Sequence, residues 1–144
     1  MRLGADGVNM GTRFMCTQES AVHRNVKDWI VANSELDTKL IFRTLHNTAR
    51  VADNAVSREV VEKEKGGASF ADIADLVSGK RGRKVFEEGD LDAGIWTTGQ
   101  SQGLIHDIPT VAELVSRMVA EAEEIITGRL TEMVAEPVAV RSRA

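Results

Sequence analysis

The order of apolar and polar residues predicts a short strand at the start of the chain and mostly helices after it. Residues 7–11, Gly-Val-Asn-Met-Gly, form an uncharged run typical of a buried strand, and residues 39–42 form the other strand-like run. Between them, Val22, Val26 and Ile30 recur at helical spacing and predict a helix over about residues 20–33. The pattern predicts an α/β chain with few strands.

Two more helices are predicted in the middle of the chain. Apolar residues recur at helical spacing over about residues 49–65, and two glycines follow as a stop. Ser69, with Asp72 three residues later, has the spacing of a helix cap, and Gly79 would end the short helix that it opens. The basic cluster at residues 80–84 is then expected to be a solvated loop between two helices.

The last predicted helix has the clearest start signal. Thr110 and Glu113 have the spacing of a capping box, and a stripe of apolar residues follows until Gly128, where the helix is expected to end. Residues 129–144 show no sustained period and are expected to be a disordered tail.

The strand predicted at residues 7–11 lacks partners in this sequence. A buried parallel strand needs neighbours on both sides, and almost no chain precedes this one. We therefore expect residues 1–128 to be the C-terminal part of a larger α/β protein, with an N-terminal portion missing.

Composition and charge exclude several classes of protein. The net charge is −4, without a broad basic region for nucleic acid. The single cysteine, Cys16, has no partner for a disulfide, no spacing resembles a zinc site, and a small buried role is expected for it. Neither a signal peptide nor an apolar run long enough for a membrane span is visible, so a cytoplasmic protein without metal or membrane is expected.

The candidate chemistry lies where the first strand runs into Gly11 and Thr12. Glycine lets the backbone approach a ligand closely, the two amides can point at an anion, and the threonine hydroxyl adds a donor. In β/α barrels, phosphate sites are frequently built from the loops after the last strands. By spacing alone, an ordinary tight turn is the alternative.

Two motifs in this chain resemble the nitronate monooxygenase family. Residues 4–14, Gly-Ala-Asp-Gly-Val-Asn-Met-Gly-Thr-Arg-Phe, are similar to the last barrel strand of that family, which commonly has Gln where this chain has Asn9. Residues 96–105, Trp-Thr-Thr-Gly-Gln-Ser-Gln-Gly-Leu-Ile, are similar to the family's W-x-x-G-Q-x-x-G-L-I segment. The resemblance implies the C-terminal fragment of a TIM (β/α)8 barrel with a mostly helical subsidiary region.

The resemblance also implies a cofactor and its contacts. It places Asn9, Met10, Gly11 and Thr12 at the phosphate or ribityl chain of FMN, and Gln100 near the flavin or the substrate. The family's histidine base and its Gly-Gly phosphate loop lie upstream of the matching region. No catalytic residue is therefore expected in this chain, and its three histidines, His23, His46 and His106, are expected at surface or capping positions.

The implied function is oxidation of small alkyl nitronates with FMN and dioxygen, in a protein of which this chain alone would be inactive. The nearest alternative is an FMN-dependent enoyl reductase of fatty-acid synthesis. The alternative from another class is a small helical binding module without a cofactor.

Overall fold

Short helices and one two-stranded sheet are the regular elements of the computed structural model, which describes residues 7–131 and residue 133. In chain order, the elements are α1 (Thr12–Met15), α2 (Arg24–Ala32), β1 (Thr38–Ile41), β2 (Ala49–Ala52), α3 (Ala55–Lys65), α4 (Phe70–Ile73), α5 (Gly79–Glu88), a 3₁₀ helix (Gln100–Leu104), α6 (Val111–Glu124) and a π-helical segment (Ile125–Leu130).

Residues 7–10 are not the buried strand that the sequence predicts. They have no strand pairing with any described residue, and all four are exposed, with Val8 73% exposed. A strand is stabilised by backbone bonds to its neighbours, and the one sheet in the described residues lies elsewhere. The prediction of a strand here is therefore wrong for this chain, while the turn that follows, at Gly11, forms.

The sheet is a hairpin of β1 and β2, paired antiparallel from Thr38 with Ala52 to Ile41 with Ala49. The prediction of a strand near residues 39–42 is confirmed, but the helix predicted from residue 49 begins six residues later. Strand and helix share apolar positions here, and the signal for the true start is Asn54. Its side chain accepts from the Ser57 amide at 2.8 Å, and Ser57 Oγ accepts in return from the Asn54 amide at 2.9 Å.

The basic cluster at residues 80–84 is helical rather than a loop, because it forms the first turns of α5. Val85 is fully buried on the inner face of this helix, while Lys80 and Lys84 are exposed on the outer face. Gly82 permits close packing, since a Cβ there would lie 3.0 Å from the Ile95 carbonyl oxygen. Most of the basic residues that indicated a loop therefore lie on the exposed face of a helix, and Gly82 serves its packing. The predicted start of a short helix at Ser69 and Asp72 is confirmed in α4, with both capping bonds present. Its predicted end at Gly79 is wrong, since α4 ends at Ile73 and Gly79 begins α5.

Two buried apolar clusters hold residues 7–110 together. The first joins α2, α5 and the segment around Trp96, whose ring meets Trp29 edge to face at a centroid distance of 5.0 Å. The second packs the hairpin against α3 and α4, with Ile41, Val51, Val60 and Ile73 at its centre. The segment before the 3₁₀ helix is tied to the hairpin by the pairing of Val51 with Thr97.

The second unit of the chain begins at Val111 and contains α6 and the π-helical segment. The predicted helix after Thr110 is confirmed, but it does not end at Gly128, since helical bonding continues to Leu130. Glycine inside a helix costs only about 1 kcal/mol, so it does not force a stop. Of the predicted tail 129–144, residue 132 and residues 134–144 lie outside the described residues. Within the described part of the chain, every helix is too short or too polar to cross a bilayer.

Candidate functional site

Gly11 and Thr12 form the turn that the sequence marks as a phosphate cradle. The Gly11 carbonyl accepts from the amides of Phe14 at 3.0 Å and Met15 at 3.1 Å, which closes the first turn of α1. The amides of Thr12 and Arg13 belong to that first turn, where amides have no acceptor within the helix. A Cβ on Gly11 would meet no described atom within 4 Å, so the space in front of this turn is open.

The hydroxyl of Thr12 joins the two motifs, which are 87 residues apart in the sequence. Its oxygen accepts a hydrogen bond from the Gly99 amide at 2.9 Å. A threonine hydroxyl that accepts still carries its own hydrogen, and it can donate that hydrogen to a ligand. The structure therefore places the Gly99-Gln100 step directly beside the turn at Gly11 and Thr12.

Two further contacts attach the same C-terminal segment to the residues around α1. Arg13 Nη2 lies 3.1 Å from both the carboxylate and the backbone oxygen of Asp107. The Gln18 amide donates to the Pro109 carbonyl at 2.9 Å, and its side chain reaches the Ile108 carbonyl at 3.4 Å. Residues 99–109 thus contact both ends of the stretch from Thr12 to Gln18.

The predicted cofactor residues differ in their surroundings. Asn9 and Met10 are exposed in the irregular segment before the turn. Gln100 is exposed at the start of the 3₁₀ helix, next to Gly99. Of the predicted set, the structure brings Gly11, Thr12 and Gln100 into one neighbourhood, with Asn9 and Met10 leading into it.

Gln102 is a buried glutamine that the sequence does not single out. Its side chain is 0% exposed, accepts from Thr98 Oγ1 at 2.7 Å and donates to the Ser34 carbonyl at 2.5 Å. The next residue, Gly103, packs so closely that a Cβ there would overlap Glu35. The spacing of Thr98 and Gln102, four residues apart, is the signal that would have indicated this internal bond. Gln102 fixes the 3₁₀ helix, whereas Gln100 remains free to contact a ligand.

A buried cation lies behind the turn. Lys27 is 6% exposed, and its ammonium group donates to the carbonyls of Thr17 at 2.7 Å and Ser20 at 2.8 Å. These carbonyls belong to the loop after α1, so Lys27 holds that loop against α2. Cys16 lies in the same region, fully buried as predicted. Burial raises the pKa of the Cys16 thiol from an ordinary 9.0 to about 11, against the lowering effect of Arg13 and Lys27.

The histidines take the places expected of them. His23 caps α2, where its Nδ1 accepts from the Asn25 amide at 3.1 Å, and its ring lies against Gly89. His46 is exposed in the hairpin turn, at a φ of 54°, and His106 is exposed after the 3₁₀ helix. Among the described residues, no group of three or more His, Cys, Asp or Glu side chains is placed to hold a metal ion.

Comparison with known proteins decides the family. The sequence model described as nitronate monooxygenase matches residues 1–121. The chain belongs to the nitronate monooxygenase family. This match confirms the expected family. Members of the family are in general flavin-dependent oxidoreductases, and the α/β character of the chain agrees with this family.

Structures and curated proteins similar to the chain support the same family. FabK from Thermotoga maritima superposes with a TM-score of 0.83 and 33% identity, covering 92% of this chain and 42% of that one. Its M276A mutant gives a TM-score of 0.73 and 31% identity, covering 92% and 38%. A (3aS,4S,5R,7aS)-5-hydroxy-7a-methyl-1-oxo-octahydro-1H-indene-4-carboxyl-CoA dehydrogenase from Rhodococcus jostii is 28% identical over 83% of this chain and 44% of its own. The chain thus spans about two fifths of the length of these relatives.

Proposed function

We propose that this chain supplies one wall of the FMN phosphate site in an oxidoreductase that oxidises alkyl nitronates with dioxygen. The observation that carries the proposal is the bond from the Gly99 amide to Thr12 Oγ1, because it joins the two family-like segments around one open turn. The amides of Gly11 and Thr12 and the Thr12 hydroxyl would hold the phosphate. Asn9 and Met10 would lie beside the phosphate or the ribityl chain.

The residues present fit a phosphate group on one side. The space in front of Gly11 is open, and the first-turn amides of α1 have no acceptor within the helix. When bound, FMN supplies the redox chemistry, and the protein binds and orients it. The contribution of this chain is a set of fixed donors. The Thr12 oxygen is occupied by Gly99, which leaves its hydrogen for the anion.

We expect the remaining parts of the site in an N-terminal barrel portion. The relatives are long enough to contain such a portion in addition to the region that matches this chain. That portion would supply the second phosphate loop and the histidine base, while the small-molecule nitronate and dioxygen are the substrates. We place the enzyme in the cytoplasm, in agreement with its single buried thiol. The coding sequence upstream of Met1, translated in frame, tests this directly: it should encode a Gly-Gly loop and a histidine after a barrel strand, and a stop codon directly upstream would contradict it.

Thr12→Val tests the phosphate site. One lost hydrogen bond to a charged group costs about 1.5–3 kcal/mol, or roughly ten- to a hundredfold in FMN affinity. Riboflavin lacks the phosphate, so its affinity should change much less. Thr12→Ser keeps the hydroxyl and is the control, with an FMN affinity close to that of the unmodified enzyme. Both variants are made in the enzyme that includes the upstream portion. If Thr12→Val leaves the ratio of the two dissociation constants unchanged, Thr12 does not contact the phosphate.

Gln100→Ala tests the proposed contact of Gln100 with the flavin ring or the substrate. In the enzyme that includes the upstream portion, this variant should retain FMN and change the rate or the Michaelis constant for nitronates. Because the Gly99 amide is bonded to Thr12, the backbone of this segment would lie at the phosphate end, and the exposed Gln100 side chain would extend from it. Loss of FMN affinity with normal kinetics at saturating FMN would place Gln100 at the phosphate instead.

An FMN-dependent enoyl reductase is the second candidate, and the likeness to FabK over 92% of the chain favours it. The two reactions differ in their electron donor. A nitronate monooxygenase consumes dioxygen with the nitronate, whereas an enoyl reductase consumes a reduced nicotinamide cofactor with an enoyl thioester. Parallel assays of oxygen consumption and nicotinamide oxidation, on the enzyme with its upstream portion, separate the two.

A further inference from the structure

Helix α1 is too short to hold its own conformation. It has four residues, and a single helical turn is unfavourable by itself because its residues are fixed in exchange for very few hydrogen bonds. None of its four residues is fully buried. The conformation of the turn at Gly11 and Thr12 must therefore depend on contacts made by the side chains of α1 with other parts of the fold.

Arg13 makes the charged contact of this kind. Its side chain is 15% exposed, and one nitrogen, Nη2, lies within hydrogen-bond distance of three oxygens. They are the backbone oxygen of Cys16 at 3.4 Å, the backbone oxygen of Asp107 at 3.1 Å, and Asp107 Oδ1 at 3.1 Å. The guanidinium group thus joins the C-terminal end of α1 to the segment that follows the 3₁₀ helix.

The Arg13 contact and the Thr12 contact lie on the same two segments. Thr12 Oγ1 accepts a hydrogen bond from the Gly99 amide. Arg13, the next residue, binds Asp107, which lies eight residues after Gly99. Ile105 is 1% exposed between these two points, so the segment is packed into the core as well as bonded. If Arg13 is removed, the segment loses the charged contact of Asp107 with α1, and its C-terminal side is then held to the stretch after α1 by the bonds of Gln18 to Ile108 and Pro109.

We infer that Arg13 is a positioning residue, which keeps the Gly99 amide on Thr12 and so holds the Thr12 hydroxyl ready for an anion. Its guanidinium is directed at Cys16 and Asp107 rather than being a ligand in the open space before Gly11. The inference rests on the proposed function for the identity of the anion, but the mechanical coupling of Arg13 to Gly99 stands independently of it.

Hydrogen exchange of the Gly99 amide in Arg13→Met tests this coupling. Methionine keeps an unbranched apolar stem and removes the donors. We expect the Gly99 amide to exchange about tenfold faster or more, because local opening of the segment becomes easier, while amides within α3 stay protected. Arg24→Met is the matched control, since Arg24 is exposed and is ion-paired with Asp28 four residues away on its own helix. It should leave Gly99 exchange unchanged.

Two results would overturn the inference. One is Gly99 exchange in Arg13→Met that is no faster than in Arg24→Met. The other is a uniform rise across Gly99 and the α3 amides, which would mean that Arg13 supports the whole fold and not this segment. If Arg13→Met does not fold, Asp107→Asn replaces it. That variant removes the carboxylate and keeps the backbone acceptor, so a smaller rise confined to the segment is expected, and no rise counts against the inference.

The ligand measurement separates this inference from the proposed function. Titration of the unmodified chain with FMN and with riboflavin gives the preference for the phosphate group, and Arg13→Met should reduce that preference. If the unmodified chain prefers neither ligand, the proposed phosphate site is wrong, and the exchange of Gly99 still decides the role of Arg13. If FMN is preferred equally by both proteins, the positioning role is wrong while the phosphate site stands.

Discussion

At the scale of single residues, two glycines of this chain serve different purposes. Gly11 has open space where a side chain would be, whereas at Gly94 a Cβ would lie 2.7 Å from the Arg81 backbone. The backbone of Gly11 has a negative φ, −101°, so side chains are not excluded there by conformation. We therefore attribute the glycine at position 11 to the approach of a ligand. The glycine at position 94 is explained by close packing.

This contrast predicts opposite phenotypes for two substitutions. Gly11→Val should leave the free energy of unfolding nearly unchanged, within about 0.5 kcal/mol as for ordinary surface substitutions. In the enzyme that includes the upstream portion, it should abolish flavin binding. Gly94→Ala should destabilise the fold by roughly 1–3 kcal/mol through overpacking. Urea unfolding and flavin titration of both variants check this. FMN affinity that survives in Gly11→Val would remove Gly11 from the site.

Cys16 gives a prediction about pH. Burial raises the pKa of its thiol to about 11, so between pH 9 and 11 the unfolded chain loses a proton that the folded chain keeps. Stability should therefore fall with pH in that window, by at most about 1.4 kcal/mol per pH unit from this group. The chain has no tyrosine that would titrate alongside it. Unfolding of the unmodified chain and of Cys16→Ala at pH 8 and pH 10.5 measures the effect, and an equal decrease in both proteins would contradict it.

The turn at Gly11 and Thr12 could be predicted from the sequence, because the close backbone approach that glycine allows and the hydroxyl donor of threonine follow from the residue types themselves. The structural roles of Gln102 and Lys27 could not be predicted in the same way. Both act through burial and through bonds to backbone carbonyls far away in sequence, at Ser34 for Gln102 and Thr17 for Lys27. The spacing of Thr98 and Gln102 indicates only their local bond. The bonds to Ser34 and Thr17 have no signal in a single sequence, because a buried glutamine or lysine has the same one-letter code as an exposed one.

At the scale of elements, the caps set the boundaries of the helices. The cap of α3 is unusual because Asn54 is buried and also donates to the carbonyls of Leu91 at 2.7 Å and Gly94 at 2.8 Å. The cap of α4, formed by Ser69 and Asp72, is exposed and bonds only within its own turn. One cap thus ties a helix to a distant loop, and the other serves its own helix.

We expect the two caps to differ in energy. Asn54→Ala removes the cap and also the two side-chain bonds to the carbonyls of Leu91 and Gly94, which together should cost about 2–4 kcal/mol of unfolding free energy. Ser69→Ala should cost about 1 kcal/mol or less. Denaturant unfolding of the two variants compares them directly. Equal losses would mean that the bonds from Asn54 to the loop contribute nothing beyond the cap itself.

Elements were predictable where one signal dominated, and not where two overlapped. The start of α6 and the cap of α4 were correct because a capping residue preceded a clean pattern. Strand β2 was taken as helix because its apolar residues continue into α3 at helical spacing. Helix α5 was taken as a loop because its first turns are a basic cluster that follows Gly79, and only the close contact with Ile95 explains Gly82.

At the scale of the whole molecule, we expect this chain to form only one wall of the proposed phosphate site. The relatives are more than twice as long as this chain, and the described residues contribute donors from one turn only. We therefore expect the chain alone to bind FMN weakly, with a dissociation constant well above micromolar, since a single phosphate wall makes few contacts. Flavin fluorescence titration measures it. A submicromolar constant would contradict the proposal that a second wall is required.

The edge-to-face pair of Trp29 and Trp96 makes the core visible to spectroscopy. The chain has two tryptophans and no tyrosine, so its absorption near 280 nm and its emission come almost entirely from these two rings. They lie 5.0 Å apart at an interplanar angle of 77°, with Phe86 6.5 Å from Trp96. Rings held this close at a fixed angle give a strong near-ultraviolet circular dichroism signal, which is lost once side-chain packing loosens. A single optical channel therefore reports the packing of α2 against the segment that leads to Gly99, without any label.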